Sequence, residues 1–181
     1  MNRFSDTHPS RAFKFCPACG APEFSFSGEK LFTCPSCGFI YYINPAPAVA
    51  AIIEAHDGRI LLTRRRHDPG AGLFDLPGGF VDIMESAEEA LTREIREELG
   101  IGIKSMRFMA SRPNEYVYRG LSYFTCDMGF ICTTDEIDAI KPADDVSEAL
   151  LVKPEAIDFA QIGFPSIEML LKTYIEMWHS A

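Results

Sequence analysis

No apolar run in this 181-residue chain approaches the length that a membrane-crossing helix needs, about 20 residues. The opening MNRFSDTHPSRAFKF lacks the apolar core of a secretory signal. The expectation is a cytoplasmic protein that works away from membranes. Internal repeats, low-complexity tracts and long linkers are missing, so solenoids and arrays are excluded. Positive charge is in deficit: 17 Lys and Arg face 26 Asp and Glu, for a net charge of −9. Residues 1–47 carry four basic and three acidic side chains, and residues 48–181 carry thirteen and twenty-three. This acidic second part, without a basic helix face, argues against broad nucleic-acid binding and for a small-molecule partner. At 47% hydrophobic, the chain can build one ordinary core plus a small module.

Cysteine is scarce but patterned. Cys16 and Cys19 form one Cys-Pro-x-Cys-Gly knuckle, and Cys34 and Cys37 form a second after a fourteen-residue gap. Four thiolates at this spacing suit tetrahedral Zn²⁺. Two disulfides are the rival arrangement, but a reducing compartment disfavours them. The segments Glu-Phe-Ser-Phe and Leu-Phe-Thr between the knuckles read as a hairpin around Ser27-Gly28-Glu29, so the whole resembles a zinc ribbon. So short a segment buries little core, and the metal is expected to supply its folding free energy. A site closed by four cysteines is structural. The expected organisation is a flexible terminus over residues 1–12, a ribbon over 13–44, and a second domain over 45–181, with Asn44-Pro45-Ala46-Pro47 at the boundary. Phe39–Ile43 is an apolar exit able to pack on that domain.

The densest chemistry lies in GFVDIMESAEEALTREIREELGI, residues 79–101. Ser86 and Glu89 have the spacing of a capping box, and Gly100 stands where a helix-ending glycine would. Leu91, Ile95 and Leu99 recur every four residues as an apolar stripe. Glu94, Glu97 and Glu98 crowd one face of the same helix, an arrangement that repels itself unless a cation relieves it. A solvated acidic face balanced by Arg93 and Arg96 is the alternative on composition alone.

This stretch resembles the Nudix box. Gly79, Glu85, Arg93, Glu94, Ile95, Glu97, Glu98, Gly100 and Ile101 fill every defined position of that pattern. The resemblance implies an α/β fold, the Nudix α/β/α sandwich with a mixed sheet, preceded here by the small ribbon. It also implies hydrolysis of a pyrophosphate bond in a nucleoside diphosphate linked to another group. Carried over, Glu94, Glu97 and Glu98 hold Mg²⁺ or Mn²⁺ and help activate water, the Gly79 carbonyl joins the metal shell, and Arg93 orients the glutamates while pairing with Glu85.

Around the box, Ala48–Ile53 reads as a buried strand and Ile60–Arg64 as its hairpin partner across Asp57-Gly58. Arg64 is a candidate for a substrate phosphate. His67, beside a turn, reads as a surface residue. Met106–Ala110 and Tyr123–Cys132 read as strands, with Cys126 and Cys132 on a core face. Thr134–Asp144 reads as an acidic loop, Ala149–Val152 as the last strand, and the tail as an amphipathic helix carrying Ile167, Leu170, Leu171, Tyr174 and Trp178.

A ribbon ahead of a Nudix domain resembles the NADH pyrophosphatase branch, which implies cleavage of NAD(H) into nicotinamide mononucleotide and AMP. That branch carries Ser-Gln-Pro-Trp-Pro-Phe-Pro-x-Ser past the box. Here Ser111 and Pro113 match, Tyr116 stands for a phenylalanine, and the Trp and later prolines are absent. Arg112, Tyr116 and Tyr118 are the candidate substrate contacts in this segment. Members of the family also use a carboxylate shortly before the last strand, for which Asp145 and Glu148 are the candidates. ADP-ribose is the alternative substrate. A nucleotide-sensing regulator and a remover of NAD caps from RNA are the alternatives of other classes. The branch resemblance also admits a homodimer.

Overall fold

The computed structural model describes residues 6–179. The chain separates into two compact units, one holding residues up to Pro45 together with Glu115–Phe124, the other Ala46–Asn114 with residues from Thr125 onward.

The first unit is a three-stranded antiparallel sheet of β1 (Ser25–Ser27), β2 (Leu31–Thr33) and β3 (Ile40–Tyr42), in that order. Its core is small: Cys16, Phe24, Phe32 and Cys34 are buried, with Phe13, Phe26, Phe39 and Ile43 packed against them. The apolar exit therefore splits. Phe39 and Ile43 serve the unit's own core, while Ile40, Tyr41 and Tyr42 are exposed. Residues 1–5, part of the expected flexible terminus, lie outside the described residues. Pro9–Arg11 forms a 3-10 turn capped by the His8 ring nitrogen, and His8 is buried against Phe26 and Phe124. Thr7 and Ser122 share a hydroxyl–hydroxyl hydrogen bond of 2.6 Å, which explains why Glu115–Phe124 groups with this unit.

The second unit is built on β4 (Ala46–Glu54), β5 (Ile60–Arg65), β6 (Phe74–Asp75), β7 (Ser105–Tyr118), β8 (Leu121–Thr133) and β9 (Val146–Val152). The strand order is β6-β5-β4-β8-β7, with β9 pairing β5, and β4 runs parallel to β8 while β5 pairs antiparallel with β4, β6 and β9. Two helices cover this mixed sheet: α1 (Ala87–Leu99) and α2 (Pro165–His179). Strand β4 is apolar throughout because both faces are covered. Val49, Ala51 and Ile53 pack with Leu91, Ile95 and Leu99 of α1, and Ala50 and Ile52 pack with Leu170, Leu171 and Tyr174 of α2. Each leucine or isoleucine so buried contributes about 1.5–3 kcal/mol.

The α1 ends follow the local signals. The Ser86 hydroxyl accepts from the Glu89 N–H, the Glu89 carboxylate accepts from the Ser86 N–H, and Gly100 closes the helix with φ 71°. The tail helix buries Ile167, Leu170, Leu171 and Tyr174 but leaves Trp178 46% exposed, one turn beyond the edge of the sheet's cover. Cys132 is buried, whereas Cys126 is exposed. The α1-facing cluster reaches Met128, Phe130 and Cys132 and stops there, so the alternation continues but the core does not. Among the described residues no helix is long and apolar enough to cross a membrane.

Candidate active site

The loop ahead of α1 is laid onto β4 as an extra short strand. The Val49 N–H donates to the Gly79 carbonyl, the Ala51 N–H to the Pro77 carbonyl, and the Val81 N–H to the Pro47 carbonyl. Two glycines make this possible. Gly78 has φ 142°, and a Cβ there would fall 2.1 Å from the Val49 carbonyl oxygen. A Cβ on Gly79 would fall 2.5 Å from the Glu94 carboxylate. The close approach therefore sets the Gly79 backbone directly against a box glutamate.

Arg93 organises the acidic face. Its guanidinium grips Glu85 with two bonds of 3.0 and 2.9 Å, and donates to Glu94 at 2.8 Å, Glu97 at 3.2 Å and the Phe80 carbonyl at 3.1 Å. The bidentate pair with Glu85 holds that carboxyl below its ordinary range. Glu98 has no such cation. It is 7% exposed, and its carboxylate accepts the Gly78 N–H at 2.9 Å. Burial pushes its pKa up to about 8, against the pull of that N–H and with a push from Glu94, Asp75 and Asp145. Glu94 is also raised, by burial first, with Arg93 opposing and Glu97 and Asp144 adding to it. Glu97 is the open member, with half its side chain exposed.

The structure thus brings Gly79, Glu85, Arg93, Glu94, Glu97 and Glu98 together. It separates the two extra carboxylate candidates. The Ala143 N–H donates to the Glu98 carbonyl and the Lys141 N–H to the Leu99 carbonyl, tying this loop to the end of α1. Asp144 and Asp145 are thereby carried near Glu94 and Glu98. Glu148 instead pairs with Arg64 at 2.7 Å. Arg64 also donates to the Gly72 carbonyl at 2.6 Å and stacks over Phe74, so its guanidinium is engaged within the fold. Arg112 donates to Thr173 at 2.7 Å and to the Ser111 carbonyl. Tyr116 is half-buried on β7 and Tyr118 exposed, near the Arg119 guanidinium.

Asp75 was not singled out by sequence reading. It is 8% exposed, bonded to Arg65 at 2.8 Å, and its pKa is pushed up to about 6 by burial, with Arg65 opposing and Asp127 adding. An Asp inside the apolar run Leu73-Phe74-Asp75-Leu76 was the available signal. Asp144 was passed over for its neighbour; its positive φ of 49° is a property of the loop that composition does not carry.

In the first unit, the four sulfurs of Cys16, Cys19, Cys34 and Cys37 all lie within 4.8 Å of one another, a group that could hold a metal ion. The two knuckles are matched in detail. Gly20 and Gly38 donate N–H bonds back to the Cys16 and Cys34 carbonyls, and the Cys16 and Cys34 N–H groups donate to the Ala21 and Phe39 carbonyls.

Residues 44–171 match the family model of the NUDIX domain. The chain is 32% identical over 117 residues to the NAD-capped RNA hydrolase NudC of Klebsiella pneumoniae, a match covering 65% of this chain and 45% of that protein. It is 35% identical over 103 residues to the like-named protein of Citrobacter koseri, covering 57% of this chain and 39% of that one. The chain therefore matches less than half the length of these curated relatives. A solved NUDIX hydrolase from Nitrosomonas europaea is similar across 93% of this chain and 94% of its own, with 27% identity and a TM-score of 0.69.

Proposed function

This chain belongs to the NUDIX family, and from that premise we propose that it hydrolyses the pyrophosphate bond of a nucleoside diphosphate derivative, with Glu94, Glu97 and Glu98 holding Mg²⁺ or Mn²⁺. The observation that carries this reading is Glu98, a carboxylate buried among other carboxylates with one backbone N–H and no cationic side chain printed against it. Such a site is costly without a cation, and an all-oxygen donor set suits a hard one. The Gly79 carbonyl accepts one bond from Val49 and keeps a second lone pair for the same shell. The bound cation supplies charge neutralisation on the diphosphate and a lowered pKa for its water.

The protein's own residues do the rest. Arg93 fixes Glu94 and Glu97 on the open side of the helix and is itself anchored by Glu85. Asp145, with Asp144 beside it, is the extra carboxylate; Glu148 positions Arg64. A water oxygen bonds to one phosphorus, the bridging oxygen leaves with the other phosphate, and one of the box carboxylates takes the water's proton. The four cysteines hold Zn²⁺ in a structural role, in a reducing compartment such as the cytoplasm.

The substrate we infer is an NAD(H)-type dinucleotide, cut to AMP and nicotinamide mononucleotide. The relatives named for NAD-capped RNA support this, since the same bond joins the two halves there. ADP-ribose is the second reading, favoured by the departures between Ser111 and Arg119 from the branch signature. Product analysis with Mg²⁺ or Mn²⁺ over NADH, NAD, ADP-ribose, FAD and nucleoside triphosphates separates them. NADH yielding AMP and nicotinamide mononucleotide fastest is the expected result. Faster turnover of ADP-ribose would move the assignment, and no turnover of any compound would favour a nucleotide-sensing module.

A further inference from the structure

The ribbon unit has more aromatic surface than its core uses. Phe13, Phe24, Phe26, Phe32 and Phe39 serve that core. Phe15 is left 66% exposed, and Ile40, Tyr41 and Tyr42 on β3 are 54%, 42% and 48% exposed. Part of this surface is concave. A groove of about 400 Å³ is lined by Phe13, Lys14, Phe15, Phe24 and Tyr41, among others. Its lining includes one cation and no carboxylate, in a chain of net charge −9. A second lysine, Lys30, lies 5.9 Å from the centre of the Tyr42 ring.

Flat apolar rings beside an ammonium match the chemistry of a nucleotide, a π-face tied to an anion. The volume is that of a small-ligand site. Aromatic platforms of this kind bind single strands without sequence preference, because every base offers a face to stack on. Lysine meets the phosphate as a point charge. The unit's near-neutral charge, which argues against broad duplex binding, fits a site that works by stacking.

We propose that this groove binds single-stranded RNA, so that the proposed active site takes its dinucleotide on an RNA 5′ end. The second half of that statement rests on the active-site reading above; the first half does not.

The test uses the full zinc-loaded chain and a fluorescent, uncapped single-stranded RNA of about ten nucleotides. Wild type binds it, and Phe15→Ala and Lys14→Gln each weaken binding by about tenfold, the loss of one stacked base or one phosphate contact. Both residues lie outside the ribbon's buried core, and circular dichroism checks that each variant folds. With an NAD-capped version of the same RNA, KM rises by a similar factor in both variants while kcat/KM for free NAD stays at the wild-type value. RNA binding by wild type that neither substitution touches overturns the proposal, as does an absence of binding. So does a variant that only dissociates a dimer, which would make the groove a contact between copies. If no dinucleotide is cleaved but RNA binding still depends on Phe15 and Lys14, the active-site reading fails and the platform stands.

Discussion

Glu97→Gln lowers kcat by roughly 10²–10⁴-fold and leaves the fold intact. The separation is clean because Glu97 contributes little to the structure. Its side chain is half exposed, and the ion pair printed for it is an i,i+4 contact with Arg93 at 3.2 Å. Pairs of that kind are worth about 0.3–0.5 kcal/mol. Glutamine keeps the size and one acceptor oxygen but removes the negative charge that a divalent cation needs. Steady-state kinetics on the preferred dinucleotide read the effect, and a thermal melt confirms an unchanged midpoint. A wild-type kcat in this variant would remove Glu97 from the cation site. The same substitution at Glu98 is less informative, since it also relieves a buried charge and alters the bond from Gly78.

Removing the ribbon's metal unfolds that unit. Its strands are three residues long, and only Cys16, Phe24, Phe32 and Cys34 form its buried cluster. A core this small cannot offset the entropy of ordering its chain, and two of its four members are themselves proposed ligands. Structural zinc supplies on the order of 10 kcal/mol in comparable sites. Chelation, or Cys34→Ser, therefore abolishes amide-exchange protection between Cys16 and Ile43. Native mass spectrometry should find one zinc per chain before treatment and none after. Protection that survives in a metal-free protein, or a mass showing two disulfides, would contradict the assignment.

How legible each part was depended on the range of the forces that shape it. The box helix could be read almost whole. Its cap at Ser86 and Glu89, its stripe of Leu91, Ile95 and Leu99, and its stop at Gly100 are all set by residues within a turn or two of one another. The knuckles were legible for the same reason. What escaped was decided at long range. Nothing near Arg64 announces that Glu148, 84 residues away, will occupy it. Asp144 and Asp145 reach the box only because the loop before β9 bonds to the end of α1. Strand β7 runs on through Ser111–Tyr118, where the reading from sequence stopped its strand at Ala110, because pairing with β8 extends it past its apolar section. Cys126 followed the alternation faithfully and still ended exposed, since alternation gives the face and not what covers it.

Stability measured against pH, with and without a divalent cation, tests most directly whether the box carboxylates form a cation site. The folded pKa of Glu98, about 8, lies above its ordinary value of 4.5, and Asp75, about 6, lies above 3.8. Between those limits the native state binds more protons than the unfolded chain, so stability falls as pH rises. With the ribbon zinc-loaded and no hard cation present, unfolding free energy should drop by roughly 3 kcal/mol from pH 5 to pH 8. Mn²⁺ or Mg²⁺ should restore most of the loss, with a stabilisation that grows with pH over the same window. A flat profile that neither cation alters would contradict the account.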